Sequence, residues 1–315
     1  MSRPTLRPVR LLMAGLSCLD HLWHVAHFPP TNSRTPTQGY RSQGGGPAAT
    51  AAVTAARLGA YAELWALHGD DNNGAQALAE LEHFGVNCSQ LKQLRNSASV
   101  VSGVLVTPDG ERYIFPYFPE NLESHADAQN WDFSRLNGID CLLSDARHPA
   151  MNEAVMREAK ARGIPIVGDF SNTRHWQLSR YADYLLVSQE CAQEVLGRDD
   201  PEAALAAIKQ FDSQLVGVTL GEQGFLFEQQ GRLRHIPAFE VEVVDSTGAG
   251  DVFHGAFAFA VAQRWELEYC ALFASVTAAL ACTALGGRAG IPEVHTVQQL
   301  LEEKTSKEID EMRWM

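Results

Sequence analysis

Residues 245–251 read DSTGAGD and place two acids, two hydroxyl side chains and two glycines directly before an apolar helical run. Gly248 and Gly250 carry no Cβ, so the backbone there can turn tightly and approach a ligand closely. The helix expected to begin near Asp251 points free N–H groups and its positive dipole end into this turn, an arrangement that binds anions. Asp251 is suited to accept a proton from an attacking hydroxyl. The segment therefore predicts phosphoryl transfer.

A purely structural role is the alternative for this motif. Asp is favoured at helix N-termini, and glycine is common in the preceding turn. The segment FEVEVV (239–244) just before it predicts a strand, so the turn would join a strand to a helix. The surrounding sequence has to decide between a helix cap and a catalytic site.

Strands that could carry such a turn recur along the chain as short apolar runs, at 10–17, 62–69, 99–107, 138–145, 163–170, 182–188 and 214–221. Segments with helical periodicity lie between many of them, at 73–84, 150–162 and 201–211. Strands that alternate with helices predict an α/β fold with a mostly parallel central sheet covered on both faces.

Two regions break this alternation, residues 21–43 and 99–118. They hold alternating or aromatic-rich segments around turn signals such as TPDGE, which favours antiparallel hairpins. We predict that the two regions form a small β-sheet lid that projects from the main sheet. Residues 1–301 would form one domain that includes the lid, and 302–315 a polar tail that is solvated helix or disordered.

Composition limits the classes of function. The chain has 315 residues, of which 45% are apolar, and a formal net charge of −13, which argues against nucleic-acid and anionic-membrane partners. Its six cysteines form no CxxC pair, so neither a zinc site nor a disulfide framework is expected. No run reaches the roughly 18 apolar residues of a membrane span, and no cleavage site follows the short N-terminal apolar stretch. We therefore expect a soluble cytoplasmic protein.

Several motifs together resemble one family, the ribokinase-type (PfkB) carbohydrate kinases. DSTGAGDVF resembles its C-terminal signature, and GGGPAATAAVTAARLG (44–59) resembles its glycine-rich N-terminal signature. Four shorter matches fall in the family's order: Asp20, GDDNNG (69–74), TLGEQG (219–224) and GGRAGIP (286–292). The resemblance covers nearly the whole chain and implies a ribokinase-like three-layer α/β sandwich with a mostly parallel sheet and a small β-sheet lid.

The resemblance also implies an ATP-dependent sugar kinase and assigns residues to it. Asp251 would be the catalytic base, beside an anion hole formed by Gly248, Ala249 and Gly250. The nucleotide would contact Thr219, Gly221, Gly224, Thr247 and Gly286. The sugar hydroxyls would contact Asp20, Gly45, Gly46 and Thr50. Asp245 and Thr247 match positions that bind a monovalent cation such as K⁺ in several relatives, and Mg²⁺ is expected with ATP.

The chain departs from the family pattern at two places. Thr50 stands where the family usually has Asn, so one sugar contact must be shorter or mediated by water. The NxxE motif that organises magnesium is replaced by SQEC, in which Ser188 takes the place of Asn and Cys191 that of Glu. Glu190 lies one position away and could substitute only if the backbone shifts.

Within the family, the sequence most resembles the sulfofructose kinases. In those enzymes, basic residues at the positions of Arg34 and Arg147 face the anionic end of the sugar. A guanidinium suits a sulfonate, phosphate or carboxylate. The predicted acceptor is therefore a primary hydroxyl of a ketose or of a sulfo-, phospho- or acid sugar, although Pro116 replaces an Asn of those enzymes. The alternatives are a solvated loop residue for Arg34 and an ion pair with Asp145 for Arg147.

Other interpretations of the sequence remain open. A nucleoside kinase of the same family and a non-catalytic sugar-binding regulator both fit much of it. GGGPAA (44–49) also matches a dinucleotide fingerprint, but the preceding segment is polar and does not predict the required strand. His21, His24 and His27 alternate in direction along a strand and cannot converge on a metal unaided, and Cys191 is better explained as a buried thiol than as a nucleophile. The exposed lid edges suggest a homodimer.

Overall fold

The computed structural model of the chain describes residues 4–108, 112–122, 130–208, 213–229 and 231–303. The strands, in chain order, are β1 Arg10–Ala14, β2 Cys18–His24, β3 Gly39–Gly45, β4 Tyr61–Trp65, β5 Leu67–Gly69, β6 Lys92–Leu94, β7 Val101–Val106, β8 Arg112–Tyr117, β9 Cys141–Ser144, β10 Ile166–Phe170, β11 Tyr184–Ser188, β12 Leu215–Thr219, β13 Phe225–Gln229 and β14 Arg232–Ile236. The α-helices are α1 Pro47–Arg57, α2 Asn72–His83, α3 Pro149–Ala161, α4 Gln189–Leu196, α5 Pro201–Ile208, α6 Ala249–Ala262, α7 Leu267–Ala281 and α8 Val294–Glu303.

The main sheet has eight strands in the order β14-β13-β12-β11-β10-β9-β1-β4. The strands from β4 to β12 run parallel, and β13 and β14 are antiparallel additions at one edge. One apolar cluster joins the sheet to α1, α6, α7 and α8, and a second joins the opposite face to α3, α4 and α5. Burial on both faces explains why these strands read as continuous apolar runs. The predicted α/β architecture with a mostly parallel sheet is confirmed.

A second sheet of four strands, in the order β3-β2-β7-β8, is formed by the two regions that break the alternation. We call this sheet the lid. The pairs β2–β3 and β7–β8 are antiparallel as predicted for hairpins, whereas β2 and β7 run parallel. Directly paired residues share a face of a sheet, so Asp20, Ser102 and Pro116 lie on one face of the lid, which we call the inner face. The opposite, outer face carries the aromatic residues His21, Trp23, Tyr40, Tyr113, Phe115 and Tyr117.

Helices α1 and α6 bring the two glycine-rich signatures together. A Cβ on Gly255 of α6 would lie 2.8 Å from Ala51 Cα of α1, so the absence of a side chain lets the two helices touch through their backbones. The helices begin at Pro47 and Ala249. Because they cross closely, their N-termini lie side by side at the carboxyl edge of the main sheet.

Three expectations about local structure differ from the structure. FEVEVV (239–244) is no strand: Phe239 at its start is buried in the core, most of the following residues are exposed, and the Val244 N–H at its end donates to the Cys282 carbonyl. The run 62–69 splits into β4 and β5, which belong to different sheets. Helix α8 continues to Glu303, and the remaining tail, 304–315, lies outside the described residues.

All six cysteines are free thiols. In the described part of the chain, no helix combines the length and the apolar character that crossing a membrane requires.

Candidate active site

The glycine turn before α6 has the geometry expected of an anion site. Gly248 caps the helix with φ +73°, a backbone conformation that favours glycine. The Ala249 N–H donates to the Ser246 carbonyl at 3.2 Å, so this predicted anion donor is partly occupied within the turn. Gly250 is exposed, and its N–H finds no acceptor among the residues that the structure describes. An anion at this turn would therefore be bound mainly by the Gly250 amide and the helix dipole. The Ala249 amide is less available.

Asp251 lies in the first turn of α6, half-buried beside this turn. Burial, and then the nearby Asp169 carboxylate, raise the pKa of Asp251 from its usual 3.8 to about 7, while His254 and Arg112 act in the opposite direction. A carboxyl group with a pKa near the working pH can both accept and release a proton. A residue that merely capped the helix would gain nothing from this environment.

The predicted sugar-binding residues converge at the start of α1. A Cβ on Gly45 would collide with the Asp20 carboxylate, and Gly46 has φ +94° and packs against the Leu16 carbonyl. The Asp20 pKa is raised, chiefly by burial, although Cys18 and Arg288 act to lower it. A half-buried carboxylate that lies directly on a glycine backbone is available to hydroxyl donors.

Arg288, which sequence reasoning did not single out, joins the two halves of this site. It is 3% exposed. Its guanidinium donates to Glu80 Oε1 and to the Gly45 carbonyl, both at 3.0 Å, and to Thr50 Oγ1 at 3.3 Å. The Thr50 hydroxyl therefore accepts a hydrogen bond from Arg288, and its contact with the sugar stays a prediction. The only sequence signal for Arg288 was its place in GGRAGIP.

The residues predicted to contact the nucleotide lie on two connected segments. Thr219 ends β12, and a short turn over Gly221–Gln223 leads to Gly224, where a Cβ would collide with the Ile236 carbonyl. The Asp245 carboxylate, 3% exposed, accepts the N–H groups of Thr247 at 2.8 Å and Gly286 at 2.9 Å. It thereby fixes the 286–292 loop against the glycine turn.

Comparisons with known proteins identify the family and the fold. The model of the "pfkB family carbohydrate kinase" matches residues 13–294. The chain belongs to this family. It is 28% identical over 306 residues to the "ATP-dependent ribose-1-phosphate kinase" of Halopiger xanaduensis, covering 94% of this chain and 99% of that protein. An Agrobacterium tumefaciens protein assigned provisionally as a ribokinase superposes with a TM-score of 0.87 at 27% identity, over 94% of this chain and 98% of the other. Arabidopsis thaliana ribokinase, solved with ribose and ATP, shares the fold with a TM-score of 0.81 at 22% identity, over 95% and 100% of the two chains.

Family membership makes the chain an ATP-dependent phosphotransferase with an alcohol group as acceptor, and its fold ribokinase-like. Two of the open interpretations are thereby answered: the chain is neither a non-catalytic sugar-binding regulator nor a dehydrogenase. The polar segment before GGGPAA does form a strand, which the sequence did not predict: β3 runs into the first two glycines of the motif. That strand belongs to the lid and not to the parallel sheet, so the dinucleotide arrangement is still missing.

In this pfkB-family kinase, the SQEC segment does not offer magnesium ligands. The Ser188 side chain caps α4 by accepting the Cys191 N–H at 3.2 Å. The Cys191 thiol is fully buried, and burial raises its pKa to about 12. Glu190 is exposed in the first turn of α4. These residues therefore do not fit a magnesium site, and we derive no catalytic step through them.

The two arginines expected to face an anion lie in different surroundings. Arg34 is exposed in the loop between β2 and β3. Arg147 follows β9 at the carboxyl edge of the main sheet, where its Nη2 donates to Ser171 Oγ at 2.9 Å. Asp145 accepts the backbone N–H of Arg147 at 2.8 Å and that of Leu16 at 2.7 Å. Asp145 thus contacts the backbone of Arg147 and not its guanidinium, so the side-chain ion pair between them that was the alternative is not formed. The Arg147 guanidinium forms no ion pair with a carboxylate in the described part of the chain.

Arg112 connects the lid to the glycine turn. It begins β8, and its guanidinium donates to the carbonyl of Ser246 and, at 3.0 Å, to the Ser246 hydroxyl. Arg112 is paired with Val106, which places it on the inner face of the lid. The lid is therefore held over the same turn that precedes Asp251.

Proposed function

We propose that this kinase transfers the γ-phosphoryl group of ATP to a primary hydroxyl of an anionic sugar, with Asp251 as the general base. The observation that carries the proposal is the side-by-side placement of two glycine turns, one beside Asp20 and one beside Asp251. A Cβ on Gly248 would lie 3.6 Å from Thr50 Cγ2, so the second turn lies beside the start of α1, directly after the first turn. A sugar on the first turn would lie next to a phosphoryl group on the second.

The proposed mechanism uses the residues at this junction. The sugar would lie against Asp20 on the inner face of the lid. Asp251 would accept the proton of the attacking hydroxyl, and the Gly250 amide with the α6 dipole would stabilise the charge that develops on the phosphoryl oxygens. The Arg112 contact to Ser246 would keep the lid closed and exclude water, which limits hydrolysis of ATP.

Arg147 supports an anionic acceptor. Its guanidinium donates to the neutral Ser171 hydroxyl and forms no ion pair in the described part of the chain, although its charge acts on the nearby Asp145 carboxyl. Ligands of open parallel sheets bind beyond the carboxyl ends of the strands, where Arg147 lies. A fork of N–H donors recognises sulfonate, phosphate or carboxylate. The similarity to a protein named as a ribose-1-phosphate kinase is in line with this. The sequence suggests a ketose or a sulfo-, phospho- or acid sugar, and Arg147 favours the anionic members of this set.

A coupled assay of ADP release tests the function and its substrate class together. We would screen ketoses, sugar acids, phosphosugars, sulfosugars and nucleosides with wild type and with Arg147→Ala. We expect turnover of an anionic sugar, with kcat/KM reduced by about 10- to 100-fold in the variant because a charge-assisted contact is lost. The variant should treat neutral sugars as the wild type does. Equal losses on neutral and anionic sugars would remove the anion argument, and turnover of nucleosides alone would favour a nucleoside kinase.

We also propose a homodimer through the outer face of the lid. Tyr40, Phe115 and Tyr117 there are 57%, 56% and 58% exposed, an unusual concentration of exposed aromatic area. β3 and β8 end the lid sheet and can pair with another strand. Light scattering of wild type and of Phe115→Lys should give a dimer and a monomer; a monomeric wild type would reject the proposal.

A monovalent cation near Asp245 and Thr247 is a further proposal. Thr247 Oγ1 is buried and finds no hydrogen-bond partner among the residues that the structure describes, so it is one oxygen that a cation could use. Activity should rise when K⁺ replaces tetramethylammonium at equal ionic strength, and equal rates in both salts would contradict the site.

A further inference from the structure

His254 is a buried ionisable residue that the mechanism above leaves unused. It lies on α6 three residues after Asp251, so the two side chains lie on neighbouring positions of one helix face. The side chain is 4% exposed, and its Nδ1 is 3.1 Å from Oδ2 of Asp169, which is itself 5% exposed. An imidazole and a carboxylate this close, and away from water, attract each other strongly.

Asp169 is an ionisable residue in an otherwise apolar, buried element, as His254 is in the buried part of α6. It lies in β10, whose residues are all buried and otherwise apolar or glycine. A carboxylate is rarely fully buried without a partner. The geometry of the pair is loose: Nδ1 and Oδ2 are within ion-pair distance but not aligned for a hydrogen bond, and His254 Nε2 has no partner in the described residues. Neither side chain is therefore fully satisfied by its own contacts, as expected of groups that serve a neighbouring site.

We infer that Asp169 and His254 form a positioning pair for the proposed base, in which the imidazolium keeps a positive charge beside Asp251 and Asp169 keeps the imidazole charged. This inference rests on the proposed function of Asp251. Neither residue is placed in contact with substrate. Their role is to set the charge that Asp251 experiences as it takes up the proton of the hydroxyl.

The charges around the pair give this role a direction. Burial acts to lower the pKa of His254, but Asp169, and to a smaller extent Asp251, outweigh it, so the net pKa is raised. Four charged groups face Asp251: Asp169 on β10 and Asp145 after β9 oppose its ionisation, whereas His254 on α6 and Arg112 on β8 favour it. Removing His254 alone would leave the Asp169 charge uncompensated. Removing Asp169 would remove the strongest opposing charge and, with it, the charge on His254; because Asp169 has the larger effect on Asp251, the net change is a smaller shift toward easier ionisation.

The two single substitutions should consequently move the pH profile in opposite directions. In His254→Gln, the acidic limb of kcat/KM should shift by about one pH unit to higher pH, because Asp251 ionises less readily. In Asp169→Asn, the same limb should shift to lower pH. A merely structural role would lower activity or stability without moving the two limbs apart. Shifts in the same direction, or no shift in either variant, would overturn the inference.

Three controls separate this inference from the proposed function and from misfolding. Asp251→Asn tests the base itself: if it is inactive and the limbs do not move, only the positioning role fails. His68→Gln replaces another buried histidine, whose Nε2 lies 2.8 Å from Ser17 Oγ and which does not face Asp251. The acidic limb of the kcat/KM pH profile of this variant should therefore match that of the wild type. If His254→Gln does not fold, ¹⁵N NMR of the imidazole decides: His254 should be protonated at pH 7 in wild type and neutral in Asp169→Asn, and a neutral imidazole in wild type contradicts the inference.

Discussion

Replacing Asp251 by Asn should stabilise the folded protein at alkaline pH while it abolishes turnover. The folded protein raises the pKa of this carboxyl from 3.8 to about 7, so it binds the Asp251 proton more tightly than the unfolded chain does. Stability that depends on this proton is fully present below pH 3.8 and is lost as the pH rises to about 7. Above that pH, wild type carries the full penalty of ionising a carboxyl in this environment, and the Asn variant carries none.

The magnitude follows from the same pKa. The rise corresponds to about three tenfold steps in proton affinity, or ~4 kcal/mol. Asp251 is only half-buried, and water at the mouth of the site screens it, so we reduce this to about 2 kcal/mol at pH 8. Near pH 5 the advantage should be about half as large, since the carboxyl is then mostly protonated in the folded state. Turnover should fall by about 10²–10⁴, the usual effect of losing a general base.

Denaturant unfolding of wild type and Asp251→Asn at pH 5 and pH 8 measures the difference in their free energies of unfolding at each pH. Asp71→Ala is the control, because it should lower the free energy of unfolding where Asp251→Asn raises it. Burial acts to raise the Asp71 pKa, but hydrogen bonds from Ser99 and Gly74 outweigh it and leave the pKa below its usual value. Losing this helix cap should destabilise the protein by about 1 kcal/mol equally at both pH values. If Asp251→Asn is no more stable than wild type at pH 8, or its advantage does not grow with pH, Asp251 ionises freely and our reasoning about the base is wrong.

Four further substitutions test the contacts that assemble the site. Arg288→Lys keeps the charge but cannot reach Glu80, Gly45 and Thr50 together, so kcat/KM for the sugar should fall by about 10- to 100-fold. Glu80→Gln should give a smaller loss. Steady-state kinetics equal to those of the wild type would contradict a role of the Arg288 contacts in alignment. Gly45→Ala should raise KM for the sugar and leave that for ATP unchanged, because the added methyl collides with Asp20; equal changes in both constants would point to general damage. Arg112→Ala should increase ADP release in the absence of sugar, since it frees the lid from Ser246, and an unchanged background rate would show that this contact does not exclude water.

The sequence was most informative where function needs several residues close together in the chain. The DSTGAGD turn could be recognised because glycines, cap and base lie within seven positions, and the structure places them as one unit before α6. The same local logic failed for FEVEVV, whose residues have strand propensity but find no neighbouring strand. Pairing partners are decided by tertiary structure, which propensity does not encode.

The contacts that sequence reasoning missed join segments far apart. Arg288 and Glu80 are separated by 208 residues, and each alone looks like a residue of a solvated surface. Asp169 did leave a signal, because a charge inside a fully apolar run is abnormal for a buried strand. Its partner His254 could have been found from its three-residue spacing to Asp251. That the two meet required the packing of α6 on β10.

These long-range contacts share one consequence for catalysis. Arg288 ties the 286–292 loop to Gly45, and Asp245 ties the same loop to the glycine turn, so the sugar side and the phosphate side are fixed to one another through a single loop. Phosphoryl transfer in line needs the acceptor hydroxyl and the phosphoryl group held within a few tenths of an ångström. Two independently mobile turns could not provide this. The buried Arg288 pair therefore contributes mainly to alignment, since a buried ion pair adds little net stability over an apolar replacement.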